Sequence, residues 1–168
     1  MAASDLSKEQ LFHALAARLH AQGLHVAHQE ASRPWGGFFV LDENQAQLFA
    51  DLYFSGLAVE KLRIAGQLSP KMLLVAPHQR LSWQYHHRRA ELWQVVEGPV
   101  GVAISDTDEQ TEVKSYQPGE RLILAQGQRH RLVGLAGWGV VAEIWQHTDA
   151  ANPSDEDDIV RVQDDFGR

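Results

Sequence analysis

Gln84-Tyr85-His86-His87-Arg88-Arg89-Ala90-Glu91-Leu92-Trp93 is the stretch on which the fold turns. In an extended segment Gln84 and His86 point to one face and Tyr85 and His87 to the other, because side chains alternate along a strand. A tight connection then returns Glu91 to the same interior on the next strand. About forty residues later, Gly119, Gly127 and His130 surround another turn. Two imidazoles, a carboxylate and an amide oxygen would converge inside a β-rich shell. That is a donor set for a divalent metal. Imidazole suits Zn, Fe, Mn, Co and Ni, and the oxygen donors pull the preference towards harder ions. Gln84 is neutral, so in place of an imidazole it weakens affinity without abolishing it. Positions left open on the ion would take substrate oxygens.

On either side the chain breaks into short β-rich runs, at 59–64, 71–76, 81–86, 92–96, 100–105, 122–124, 131–133 and 140–145. Ser69-Pro70, Pro77, Glu97-Gly98-Pro99 and Pro118-Gly119 punctuate them. Many short strands at regular spacing predict a mainly β protein, an all-β barrel or a double-sheet jelly roll. Further out, Ser7-x-x-Gln10 reads as a capping box. Leu11, Phe12, Leu15 and Leu19 follow on one helical face, and Gly23 is placed to end the helix. Pro34-Trp35-Gly36-Gly37 is a turn before a short strand at 38–41, and Asp42-x-x-Gln45 caps a second short helix to about residue 52. The expected division is an N-terminal helical extension at 1–30 and a β-barrel domain at 31–168 with a packed C-terminal segment.

The 168 residues fit one domain. The chain has no cysteine, which excludes disulfides, thiolate zinc sites, iron–sulfur clusters and Cys nucleophiles. A net charge of −7 argues against nucleic acid as a partner. No apolar run approaches the roughly 20 residues of a membrane span. The opening residues lack the apolar core of a signal peptide, so a cytoplasmic location is expected. Seven acids and two arginines lie between Asp149 and Arg168, which reads as a solvated tail. The interleaved Ile159, Val160, Val162 and Phe166 predict instead that this segment packs on the domain or on a partner subunit. Trp35, Trp83, Trp93, Trp138 and Trp145 offer flat faces for sugar rings, although most are expected in the core.

Two motifs carry a resemblance. Gln84-x-His86-x4-Glu91-x6-Gly98 and Gly119-x5-Ala125-x-Gly127-x2-His130-x3-Gly134 resemble the two-part cupin signature. Gln84 stands for its first His, Ala125 for its Pro and Gly134 for its Asn, and His78 stands at its opening Gly. Arg33-Pro34-Trp35-Gly36, Lys71 to Pro77, Leu81 to Trp93 and Glu156 to Arg168 make a narrower match. They resemble the C-terminal cupin domain of type II mannose-6-phosphate isomerases, often fused to mannose-1-phosphate guanylyltransferase. The likeness covers roughly residues 33–168. It implies a cupin double-stranded β-helix (a jelly-roll barrel) with an N-terminal helix and a short helical insert. It also implies one divalent metal ion (Zn, Mn, Co, Fe or Ni) on Gln84, His86, Glu91 and His130. Lys71, Arg89, Arg161 and Arg168 match further family positions. No Gly-rich pyrophosphate loop precedes the motifs, so guanylyltransferase activity is not expected. Arg88 for the third His, the connector at 146–154 and the insert at 42–52 depart from the family where substrate selection is expected.

The implied reaction is aldose–ketose isomerisation, of mannose 6-phosphate to fructose 6-phosphate or of a related free sugar. A proton moves between C1 and C2 through an enediol(ate), whose negative charge the cation would stabilise. Lys71, Glu91 and Arg89 are the expected catalytic residues. Glu91 or Lys71 would be the base, with His87 ranked last on strand parity. Arg89 or Lys71 would clamp a phosphate. Two other classes compete: a non-catalytic sugar-binding or regulatory cupin holding a metal, and an Fe(II) oxygenase with His86, Glu91 and His130 as its triad. The expected partners are a small sugar or sugar phosphate and a second copy of the chain, paired through edge strands as a homodimer. Nucleic acid and membrane are not expected.

Overall fold

The structure is a computed structural model that describes residues 5–64 and 66–168, so residues 1–4 of the expected N-terminal extension lie outside the described residues. Helix α1 (Lys8–Ala21) is followed by strands β1 (Val26–Glu30) and β2 (Gly36–Leu41) and helix α2 (Ala46–Tyr53). Then come β3 (Lys71–Val75), β4 (Trp83–Tyr85), β5 (Arg89–Glu97), β6 (Val100–Ser105) and β7 (Lys114–Tyr116). The chain continues through β8 (Arg121–Leu124), β9 (Arg129–Gly134), β10 (Gly139–His147) and β11 (Val160–Gln163). One sheet has the order β1-β2-β3-β10-β5-β8 and the other β11-β4-β9-β6-β7. Every pairing is antiparallel.

Alternation along β3, β10 and β5 builds two cores. Leu73, Val75, Trp93, Val95 and Val141 face the second sheet and meet Leu81, Val100, Val102 and Leu132. Met72, Leu74, Leu92, Val140, Ala142 and Ile144 face the other way. Helix α1 covers that outer face with Leu11, Phe12, Leu15 and Leu19, and α2 with Phe49 and Ala50. The Phe12 and Phe39 rings lie 5.3 Å apart across the contact. The α1 capping box is formed: Gln10 N donates to Ser7 Oγ at 3.2 Å, and Ser7 N donates to Gln10 Oε1 at 2.9 Å. Gly23 follows in the left-handed region, φ +83°, which only glycine adopts without strain.

This is the mainly β cupin architecture as a sandwich of two sheets; among the described residues they do not close into one barrel. Four local expectations change. Residues 59–64 are not a strand: a 3₁₀ turn spans Val59–Lys61, and the three-residue spacing of Val59 and Leu62 buries both against α2's core. Residues 26–30 are strand β1 rather than part of a helical extension. Asp42 caps a 3₁₀ turn through Asn44 N at 2.9 Å, but Gln45 closes no capping box. Its Oε1 accepts from His25 N at 2.7 Å and its Nε2 donates to Gly23 O at 2.8 Å, tying the insert to the end of α1. Strands β7 and β11 had no counterpart among the expected runs. No helix among the described residues is long and apolar enough to cross a membrane.

Candidate metal centre and its cavity

His86 follows β4 in the turn to β5, Glu91 lies on β5 and His130 on β9, opposite Gln84 of β4. Each of the three is at most 2% exposed. One ligand atom from each lies within 4.8 Å of the others. His86 Nε2 touches Glu91 Oε1, and His130 Nε2 is 3.6 Å from that same oxygen.

The far side of each ring fixes its protonation. His86 Nδ1 lies 2.6 Å from the Asp158 carbonyl, and His130 Nδ1 lies 3.1 Å from the Gln128 carbonyl. A carbonyl only accepts, so each Nδ1 carries the hydrogen. In a neutral ring Nε2 then presents a lone pair, the arrangement that orients metal-binding histidines. Glu91 Oε1 and His130 Nε2 are buried with no hydrogen-bond partner. Unpaired buried acceptors are costly and rare. A proton on His86 Nε2 would satisfy only its own contact and leave His130 unpaired, whereas a cation among the three satisfies all of them. The donor set of two imidazoles and one carboxylate therefore fits a first-row divalent ion. Gln84 lines the same cavity, with its Oε1 accepting from Ser82 Oγ at 2.6 Å.

Above this floor opens a cavity that is continuous with solvent. Trp35 and Trp93 line it, with Phe38, Leu73 and Leu81 as its apolar side. Trp83 and Trp138 belong to the cores. Lys71 and Arg89 also line the cavity, but protein groups engage both. Lys71 Nζ bonds Glu156 Oε1 at 2.5 Å and lies 4.6 Å over the Trp145 ring. Arg89 stacks on Trp145 at 3.9 Å, and its Nη1 donates to Ser154 Oγ and to the Asp155 carbonyl, each at 2.9 Å. Its Nε stands 3.6 Å from Glu91 Oε1. His87 lies in the turn after β4, where it is exposed and packs edge-on against Tyr85 at 5.3 Å.

Three residues escaped the sequence reading of the site. Glu143 on β10 is 5% exposed and lies opposite Trp93 and Lys71 in the two adjoining ladders. Trp93 Nε1 donates to Glu143 Oε1 at 2.9 Å. Burial pushes the Glu143 carboxyl well up, and the neighbouring Glu91 charge and their shared hydrogen bond push it further. Burial also raises Glu91, but His86, the hydrogen bond with Glu143, Arg89 and His130 outweigh it and hold Glu91 well below the usual range. The signal for Glu143 was its parity, since residues 141, 143 and 145 share the inner face. Asp158 is the second: its Oδ1 accepts from His87 N at 2.9 Å and its Oδ2 from Arg88 N at 3.0 Å and Ser154 Oγ at 2.6 Å. It fastens the C-terminal segment to the turn that carries His86. Arg33 is the third, lining the cavity with a buried Nε that has no partner.

Comparison with known proteins places this arrangement. Residues 58–164 match the family model described as mannose-6-phosphate isomerase C-terminal. The mannose-1-phosphate guanylyltransferase ManC of Salmonella typhimurium is 30% identical over 144 residues, covering 86% of this chain and 24% of that protein. The alginate biosynthesis protein AlgA of Pseudomonas aeruginosa is 28% identical over 141 residues, covering 84% and 23%. The chain thus spans about a quarter of the length of the curated relatives it matches. Among solved structures, the capsular polysaccharide assembling protein CapF of Staphylococcus aureus superposes with a TM-score of 0.51 at 14% identity, over 82% of this chain and 34% of that one, a likeness of fold alone. The matched stretch carries Gln84, His86, Glu91, His130 and Glu143, and the chain belongs to the mannose-6-phosphate isomerase C-terminal family.

Proposed function

We propose that this protein is a metal-dependent aldose–ketose isomerase of the cupin type, interconverting mannose 6-phosphate and fructose 6-phosphate or a related free sugar. The observation that carries this reading is the convergence of His86 Nε2, His130 Nε2 and Glu91 Oε1, all buried and the last two without a hydrogen-bond partner, on the floor of an open polar cavity. The family's own description names the isomerase and so supports the substrate. The guanylyltransferase in ManC's name is said of a protein of which this chain covers 24%, and nucleotidyl transfer forms no part of the proposal.

A divalent ion held by His86, Glu91 and His130, with Gln84 beside them, would supply Lewis-acid stabilisation of negative charge on the sugar oxygens. The chain's own groups handle the proton. One carboxyl group must take hydrogen from one carbon and return it to its neighbour. Glu91 belongs to the donor set and Lys71 is engaged by Glu156, which leaves Glu143: kept protonated by its raised pKa, it gives that proton to a sugar oxygen and, as the carboxylate so formed, takes the hydrogen from carbon. The Trp93 Nε1 bond to Glu143 Oε1 fixes the carboxyl in place. Trp35 and Trp93 give the sugar ring flat walls.

The test is interconversion of mannose 6-phosphate and fructose 6-phosphate by protein loaded separately with Mn²⁺, Zn²⁺ and Co²⁺. His130→Ala is expected to lose bound metal by elemental analysis and turnover with it. Glu143→Gln is expected to keep the metal and lose about 10²- to 10⁴-fold in kcat. No interconversion of any aldose–ketose pair overturns the isomerase. Oxygen uptake with Fe²⁺ would put an oxygenase in its place, which the two-histidine, one-carboxylate set also allows.

A further inference from the structure

The chain as a whole is acidic, at −7, yet its cavity is not. Arg33, Lys71, Arg89, Arg161 and Arg168 line it against only Glu91, Glu143 and Glu156. Lys71 and Arg89 are engaged by Glu156 and by the Ser154–Asp155 turn. The other three line the cavity as a group of their own, near enough to feel one another's charge.

They reach it from three separate places in the chain. Arg33 precedes the turn into β2, where Lys8 Nζ holds its carbonyl at 2.8 Å. Arg161 lies on β11 opposite Gln84 of β4, and in an antiparallel pair opposed residues share a face. Gln84 lines the cavity, so register aims Arg161 into it as well. Arg168 curls back after Gly167, with its Nε bonded to Asp164 Oδ2 at 2.8 Å. Among the described residues no carboxylate lies within ion-pair reach of Arg33 or Arg161, and Arg33 Nε is buried without a partner. Burial lowers Arg161, and the positive charges of Arg168 and Arg33 lower it further, against the pull of Asp164. Three guanidiniums close enough to repel one another have one ion-paired carboxylate among them, that of Asp164, and beyond it Arg33 feels only the more distant charge of Glu30.

We propose that Arg33, Arg161 and Arg168 form a seat for the dianion of a phosphate monoester in this cavity. Planar guanidinium forks match phosphate oxygens in pairs, and the surplus of positive charge suits a dianion. The phosphate role expected of Arg89 or Lys71 passes to these three. The seat deepens the isomerase reading and rests on it for the sugar, but the anion can be tested alone.

The experiment titrates inorganic phosphate into the metal-free protein by calorimetry, at low fixed salt, with Arg80→Ala as the control. Arg80 pairs with Asp165 and does not line the cavity. Arg161→Gln and Arg33→Gln are each expected to weaken phosphate binding about ten-fold or more, with unchanged thermal midpoints and unchanged metal content after loading. Arg80→Ala is expected to bind phosphate as the wild type does. Equal loss in all three variants means a diffuse field and overturns the seat, as does wild-type affinity in both Arg161→Gln and Arg33→Gln. In the loaded enzyme the same two variants should raise KM for mannose 6-phosphate and leave KM for free mannose unchanged. Phosphate bound through these arginines without turnover of any sugar would keep the seat and overturn the isomerase. Turnover of mannose 6-phosphate with unaltered KM in both variants would do the reverse.

Discussion

The ladder of β3, β10 and β5 shows two faces with opposite tasks. On the face under α1 and α2, Met72, Leu74, Leu92, Ala142 and Ile144 are apolar and buried from end to end. On the face towards the second sheet the same strands split. Val75, Val95 and Val141 make one half, and Lys71, Arg89, Glu91 and Glu143 the other. Burying ionisable groups costs several kcal/mol each unless every one is paired. Burying a leucine contributes about 1.5–3 kcal/mol. The helix-covered face therefore carries the stability, which allows the inner half to hold groups whose arrangement serves chemistry. The helices are part of the site's support without touching it.

That division can be broken by experiment. The largest effect is expected from Leu74→Ala, which empties space on the helix face and should cost about 2–5 kcal/mol in urea unfolding. Metal content of the folded variant should stay as in the wild type; a parallel loss of metal would show that the two faces are coupled. Asp158→Asn should do the opposite. It weakens the bonds that fix the His86 turn, so metal affinity measured by competition with a chelator should fall about 10- to 100-fold. Its unfolding midpoint should move much less than that of Leu74→Ala. The smallest effect concerns acid. Hydrogen bonds from the Arg168 side chain hold Asp164 at about 2, below its usual 3.8. A lowered value favours the ionised form in the folded state, so the contribution is complete above 3.8 and is lost as pH falls through about 2. The lead of the wild type over Asp164→Asn in thermal midpoint should close across that window. A constant gap would mean that the pair does not hold the C-terminal segment.

Much of this was legible because it follows a period. The capping box at Ser7 and Gln10 announces α1, and alternation around Glu91 places Arg89, Glu91 and Trp93 on one face. What was not legible depends on contacts between elements distant in the chain. Val59 to Ile64 has the composition of a strand, yet burial of Val59 and Leu62 by the insert overrides that propensity. Glu143 is a single carboxyl in an apolar run, and only the pairing of β10 with both β3 and β5 shows that it meets Glu91. The arginine group joins residue 33 to residues 161 and 168, a convergence that the β4–β11 register creates and no local spacing encodes.

The clasp at Asp158 gives the site an order in time. The carbonyl that orients His86 and the carboxylate that holds the next two backbone amides belong to a residue that follows every member of the candidate donor set in the chain. On a ribosome, the helix-covered core has all its strands as soon as β10 emerges, whereas His86 has no fixed tautomer until residue 158 follows. A chain cut after β10 would retain a complete outer core beside a donor set in which His130 is aimed and His86 is not.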